Sequence, residues 1–116
     1  KFRISSGYEK AGVLMEMYPD LDAIVCATDD LAVGAFKYFM DHDIPVPEQV
    51  FLAGHGDSTM VKIAGHSIIT AHFAYEESGK TGAEILLEEM NDPEAVHREM
   101  MLGYYLVESP DHLGNE

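Results

Sequence analysis

The sequence predicts an α/β fold in which a mainly parallel sheet is sandwiched by helices. Three observations predict it. Short apolar or β-rich runs recur at 23–27, 49–53 and 67–71. Segments whose apolar residues follow helical spacing alternate with these runs. The first run, Ala23 to Ala27, passes through Thr28-Asp29-Asp30 directly into helical spacing at Leu31, Ala35, Tyr38 and Phe39. That is a strand feeding a helix through a polar turn, half of a βαβ unit. In open parallel sheets such a turn lies at the carboxyl end of the strand, where ligands bind.

Each element follows from local chemistry. Ser5 or Ser6 can cap a first helix running to about Tyr18, with Tyr8, Ala11 and Leu14 or Met15 on its apolar side. Pro19 stops it, because proline disfavours helix at the residue before it. After the strand 23–27, Thr28 or Asp29 can cap the next helix, which runs from Asp29 to about Asp41. Asp29 and Asp30 suit the positive end of its dipole, and Asp29 is assigned to capping and turn structure. Pro45 and Pro47 then forbid helix. Gln49 to Ala53 reads as a second strand, and Asp57 or Ser58 can cap a short helix through Met60, Val61 and Ile63. Gly65-His66 punctuates the chain before a third strand, Ser67 to Ala71. Tyr75 to Met90 reads as a long helix with an acidic start, Ala83, Leu86, Leu87 and Met90 forming a stripe. Asn91-Asp92-Pro93 ends it. Arg98 to Leu102 and Tyr104 to Val107 are two short strand candidates, and 110–116 reads as a flexible tail.

Composition narrows the function. The 116 residues allow one domain. With 7 basic and 21 acidic residues the formal net charge is −14, which argues against DNA or an anionic membrane as a direct partner. The single cysteine, Cys26, lies in an apolar strand and reads as a small buried hydrophobe. A lone thiol forms no internal disulfide and favours a reducing, cytoplasmic compartment. No apolar run approaches membrane-spanning length and no signal peptide is present. The chain starts at Lys1 without Met, as expected of a piece of a longer protein.

Two stretches carry a family resemblance. CATDDLAVGAFKYF resembles the "AND-x-x-A-x-G" segment of the LacI/GalR sugar-responsive repressors, and IPVPEQVFLAGHGDS resembles the "VPED" strand and its loop in the same family. The likeness runs from about Ser6 to Ser109 and points towards the sucrose or trehalose branch. It implies that residues 1–109 are the second lobe of a periplasmic-binding-protein-like effector domain. The helix at 75–90 would cross to a first lobe that, with a helix-turn-helix, precedes Lys1. If that lobe is absent, the helix would expose an apolar patch.

By the same resemblance Thr28 ends the first strand where the family hydrogen-bonds sugar hydroxyls, and a hydroxyl both donates and accepts. Its alternative role is the helix cap alone. His55 and Asp57 follow the second strand, with Gly56 where sugar-binding relatives often place an acidic residue. That departure puts the usual contact in doubt and leaves room for a bulkier or phosphorylated sugar. Phe2 precedes Ser6-Gly7-Tyr8 at the spacing of an aromatic that stacks on ligand in the family. Phe73 and Tyr75 follow the third strand as further candidates. Family dimers pair through helices that here carry Val33, Phe36, Lys37 and Met40, and Met60, Val61 and Ile63. Ordinary core packing explains that periodicity almost as well.

Catalytic and metal chemistry find little support. The six histidines show neither HxxxH nor HExxH spacing, so neither metal nor cofactor is implied. Gly54-His55-Gly56-Asp57-Ser58 is not GxSxG, and adjacency does not make a triad. Asp29-Asp30 suggests a phosphoacceptor receiver domain, but Lys62 and Lys80 are badly placed for it. The expectation is therefore no enzyme. It is effector sensing and homodimerisation in a LacI-type repressor, with a small sugar or sugar phosphate as effector and operator DNA a partner only through the absent N-terminal domain. A transporter's sugar-binding protein and, behind it, an α/β hydrolase are the competing classes.

Overall fold

A computed structural model describes residues 2–64 and 67–108, apart from the Ile63 side chain. Ser109, the expected tail 110–116 and the punctuating Gly65-His66 lie outside the described residues. The element order is α1 (Ile4–Met17), β1 (Ala23–Val25), α2 (Asp29–Asp41), β2 (Phe51–Ala53), α3 (Thr59–Ile63), β3 (Ile68–Phe73), α4 (Tyr75–Asn91) and β4 (Tyr104–Val107). The strands form one sheet in the order β1-β2-β3-β4. β1 and β2 pair in parallel with Ile24 opposite Leu52, and β2 and β3 pair in parallel with Leu52 opposite Ile68. The expected α/β class and mainly parallel sheet are therefore present, with helices flanking it.

The chain divides into two compact units. The first comprises residues 1–72 with 106–116, and the second 73–105. In the first, α1 packs on α2, and α2 in turn meets β2 and α3. Its core is built on Phe39, Val50, Leu52, Ile24 and Ile68. Two glycines set how close α1 and α2 come. A Cβ on Gly7 would collide with the Leu31 carbonyl oxygen, and one on Gly34 with the Ile4 carbonyl oxygen. Only a residue without a side chain permits that approach.

Several boundaries differ from the sequence reading. α1 starts at Ile4 behind Arg3, whose side chain makes no capping bond, so neither Ser5 nor Ser6 is the cap. The close crossing of Ile4 with Gly34 draws those residues into the helix. β1 and β2 are three residues each, shorter than read, whereas β3 extends through His72 and Phe73. Arg98 to Leu102 is not a strand. In the second unit the Arg98 guanidinium instead pairs with Glu88 of α4, ten residues back. α4 buries no residue, and Leu86, Leu87 and Met90 are all exposed.

The helix crossing yields a stability prediction. Gly34→Ala is expected to cost about 1–3 kcal/mol through backbone overlap, read as a lower urea midpoint at unchanged slope. Gly82→Ala in α4, where an added Cβ meets nothing within 4 Å, is expected to leave stability unchanged or raise it by up to about 1 kcal/mol. Equal effects of the two substitutions would refute the close-crossing account.

Candidate functional site

One buried carboxylate ties together the carboxyl ends of β1, β2 and β3. Asp29 is 3% exposed. Its Oδ1 accepts from the Thr70 hydroxyl at 2.7 Å, and its Oδ2 accepts from the Ser58 backbone N–H at 2.7 Å. Its own N–H donates to the His55 carbonyl at 3.2 Å. Both oxygens thus hold short, charge-assisted bonds, the condition under which a buried carboxylate is tolerated. A Cβ on Gly54 would strike Asp29 Oδ1, so glycine is required where β2 passes the carboxylate.

The chain of bonds continues. Thr70 Oγ1 accepts from the Asp57 N–H at 3.0 Å while its own proton goes to Asp29. This holds Asp57 in the left-handed region at φ 51°, next to Gly56 at φ 126°. The Gly56 N–H donates to the Ala71 carbonyl at 2.9 Å. Asp57 Oδ2 lies 2.7 Å from His72 Nδ1. A carboxylate only accepts, so Nδ1 carries the proton in this bond. Asp57 Oδ1 is buried and meets no hydrogen-bond partner among the described residues.

The structure gathers Thr28, His55 and Asp57 at this end of the sheet. Thr28 caps α2, its Oγ1 accepting from the Leu31 N–H at 3.4 Å. The hydroxyl proton remains able to donate elsewhere. His55 is exposed. Phe2 stands ahead of α1, 67% exposed, and no bond or ring contact ties it to this network among the described residues. Phe73 and Tyr75 belong to the second unit. There their rings meet edge to face at 6.1 Å, and Phe73 lies 6.3 Å from Tyr104. With Ser78, Met100 and Leu102 they line a hollow of about 320 Å³.

Sequence reasoning missed Thr70 and His72, and gave Asp29 too local a role. Thr70 and His72 are two residues apart on β3 and so share a face. That alternation of polar groups after Ile68-Ile69 was the available signal.

The expected pairing residues also converge in part. Val33, Phe36, Lys37 and Met40 of α2 line a mainly apolar hollow of about 190 Å³ with Met60 and Ala64. Val61 does not line this hollow. It is 4% exposed and belongs to the core, so its side chain is spent on packing beneath α3. The Ile63 side chain lies outside the described residues. Beside this hollow, the Tyr8 hydroxyl donates to Asp41 Oδ2 at 2.9 Å, and that bond holds the phenol proton, raising its pKa above the ordinary value.

Cys26 is half-buried. Burial, helped by the Asp29 charge, pushes its thiol up to about 11. No group of three or more metal-ligating side chains occurs among the described residues, and no helix there is long and apolar enough to cross a membrane.

Residues 2–108 match the family described as periplasmic binding protein-like domain. The chain is 39% identical over 89 residues to the HTH-type transcriptional regulator TreR of Salmonella typhimurium, an alignment covering 76% of this chain and 26% of that protein. It is 32% identical over 93 residues to the HTH-type transcriptional regulator IdnR of Escherichia coli, with 76% and 26% covered. A PurR family transcriptional regulator from Vibrio parahaemolyticus superposes with a TM-score of 0.79 at 28% identity, covering 91% of this chain and 38% of that one. The chain thus spans about a quarter of the length of the curated relatives it matches.

Two outcomes check the site as built. Thr70→Val removes the donor to Asp29 and the acceptor for Asp57, and is expected to destabilise the fold by about 3 kcal/mol, measured by urea unfolding. A loss within error of zero would mean the network does not hold the strand ends. With its thiol raised to about 11, Cys26 is expected to be mostly protonated at pH 8. Its alkylation rate then climbs about tenfold per pH unit between pH 8 and 10. A plateau near pH 9 would contradict this.

Proposed function

The chain belongs to the periplasmic binding protein-like domain family, in the form carried by LacI/GalR-type transcriptional regulators, and from that premise we propose that it is the effector-sensing and dimerisation lobe of such a regulator. One observation carries the reading. Three strand ends of a parallel sheet are tied into one rigid polar network that holds Thr28, His55 and Asp57 at the same edge. In open α/β sheets that edge is the ligand edge. Hydroxyl, imidazole and carboxylate groups suit a small sugar or sugar phosphate, whose hydroxyls each donate and accept.

The effector would lie between this lobe and a first lobe, with Phe2 offering an apolar ring face to the sugar. The exposed stripe of Leu86, Leu87 and Met90 on α4 would pack on that first lobe. Binding acts through its differential affinity for open and closed states. Closure would shift two DNA-binding heads relative to each other and so weaken operator binding. DNA contacts belong to a helix-turn-helix outside the chain, because phosphate neutralisation needs cations and this segment carries −14. Such a regulator works in the cytoplasm and catalyses no reaction. Pairing would use Val33, Phe36, Lys37, Met40 and Met60 around the α2–α3 hollow, an isologous surface that two copies share.

The full-length protein tests both halves. In a panel of ribose, glucose, cellobiose, sucrose, trehalose and glucose 6-phosphate, at least one compound is expected to bind saturably and release operator DNA, followed by fluorescence anisotropy. No binding by any of them, with operator affinity unchanged, would refute the sensing role. Met40→Glu with Met60→Glu places four charges in the paired interface, and is expected to weaken the dimer by roughly tenfold or more, measured by sedimentation equilibrium. A dimer of unchanged affinity would move the interface elsewhere.

A further inference from the structure

Resting on the dimerisation reading above, we propose that the paired interface extends from the apolar α2–α3 hollow across α1, where Lys37 of each copy meets the partner's Glu9. These reciprocal ion pairs select a second copy of this chain as the partner.

A second hollow adjoins the apolar one. It holds about 520 Å³ and is lined by Ile4, Ser5, Tyr8 and Glu9 of α1 with Lys37 and Asp41 of α2. Lys37 also lines the apolar hollow, beside Phe36, Met40 and Met60. The two hollows therefore form one continuous surface that changes from apolar to charged at Lys37. Protein interfaces have this anatomy, an apolar centre inside a polar rim. The rim faces solvent, since Ser5, Glu9, Lys37 and Asp41 are all exposed.

The charges on this rim are not matched within one copy. Lys37 Nζ lies 5.8 Å from the centre of the Tyr8 ring. It forms no ion pair among the described residues, although two carboxylates line the same hollow. Asp41 follows Lys37 by four residues on α2, but lysine ahead of the acid is the less favourable order along a helix. Asp41 Oδ2 also accepts already from the Tyr8 hydroxyl at 2.9 Å. Glu9 forms no ion pair among the described residues either. The rim thus offers an uncommitted cation on α2 and an uncommitted acid on α1. In an isologous dimer a contact from one residue to a different residue of the partner is repeated in reverse by the symmetry. Each chain carries a formal −14, so two copies repel unless their faces bring opposite charges together. Lys37 on the partner's Glu9 does so on both sides of the axis. The same pairs reject a related chain with an acid at the lysine position, because like charges then face each other.

The test mixes two charge-reversed variants of the full-length protein, Lys37→Glu and Glu9→Lys, each carrying a different fluorophore. Alone, each variant is expected to dimerise roughly tenfold more weakly than wild type, because like charges meet across the axis. Mixed, they are expected to favour the heterodimer about tenfold over either homodimer, since every cross-copy pair is then opposite in sign. Energy transfer between the fluorophores reads the preference. Raising salt to about 1 M, where the Debye length is roughly 3 Å, is expected to remove most of it. Equal partition between homodimers and heterodimer would overturn the proposal. A purely local effect within one copy would give that result, because it favours no partner. A preference unchanged by salt would overturn it as well. Thermal melting identifies a reversed variant that fails to fold. Lys37→Gln, Glu9→Gln and their combination then carry the test by sedimentation equilibrium. The double variant is expected to dimerise no more weakly than either single one, and additive losses would overturn the pairing. If Met40→Glu with Met60→Glu weakens the dimer while the charge variants show no preference, this inference fails and the dimerisation reading stands. If the methionine variant dimerises as wild type does, that reading falls and this inference with it.

Discussion

The first unit depends on the burial of the Asp29 carboxylate. A charge removed from water persists only where donors replace the solvent it has lost. Asp29 finds them in two other parts of the chain, the Ser58 N–H after β2 and the Thr70 hydroxyl on β3, 29 and 41 residues away. The requirement works in both directions. Removing the carboxylate would strand those donors, and moving either loop would strand the carboxylate. A single side chain therefore sets the spacing of three strand ends, and does so where open sheets take their ligands. Gly54 belongs to the same constraint, since β2 passes too close to Asp29 Oδ1 for any Cβ.

The helical layer obeys a different rule. α1 and α2 meet through backbone and small side chains at Gly7, Ala11, Gly34 and Ala35, all buried. Close approach brings many weak contacts within range, and their sum favours the crossing. Towards the far end, larger groups fill the space. Tyr8 and Tyr38 meet edge to face at 5.5 Å, and the Tyr38 ring stacks on His42 at 4.0 Å. In the second unit, α4 buries none of its residues and keeps an apolar stripe in the open. An amphipathic helix of this kind gains most of its stability from packing its stripe against another surface.

What the sequence made legible follows interaction range. The α2 boundaries at Asp29 and Asp41, the cap by Thr28, the cap by Ser58 and the start of α4 at Tyr75 all depend on residues within a few positions of each other. Such signals survive in a linear reading. The parallel sheet was legible because strands joined by helices pair in parallel. The Asp29–Thr70 and Asp57–His72 bonds were not, because they close loops of 41 and 15 residues between groups whose local roles looked sufficient. Asp29 already explained itself as a helix-start residue, and His72 fell beyond the strand as read. The β-propensity of Ser67 to Ala71 gave no reason to extend β3 through His72 and Phe73. Val61 is ambiguous for the opposite reason. Its periodicity suits both an interface and a core, and only burial separates the two.

The site residues divide by what their polar atoms are already committed to. Asp29 and Thr70 are 3% and 1% exposed, and their side chains bond to each other and to the loop after β2. They are scaffold. Thr28 spends its lone pair on the Leu31 N–H yet keeps a proton to give, and half-exposed His72 spends one ring nitrogen on Asp57. Thr28 is thus tethered at one atom and chemically available at another. A reading group needs both properties, since a fully mobile side chain loses rotamer freedom on binding and a fully buried one cannot touch ligand. The polar network at the strand ends therefore does more than hold the sheet together. It fixes the start of α2 so that the Thr28 hydroxyl holds a set position, with its hydrogen-bonding sense decided by the Leu31 N–H behind it.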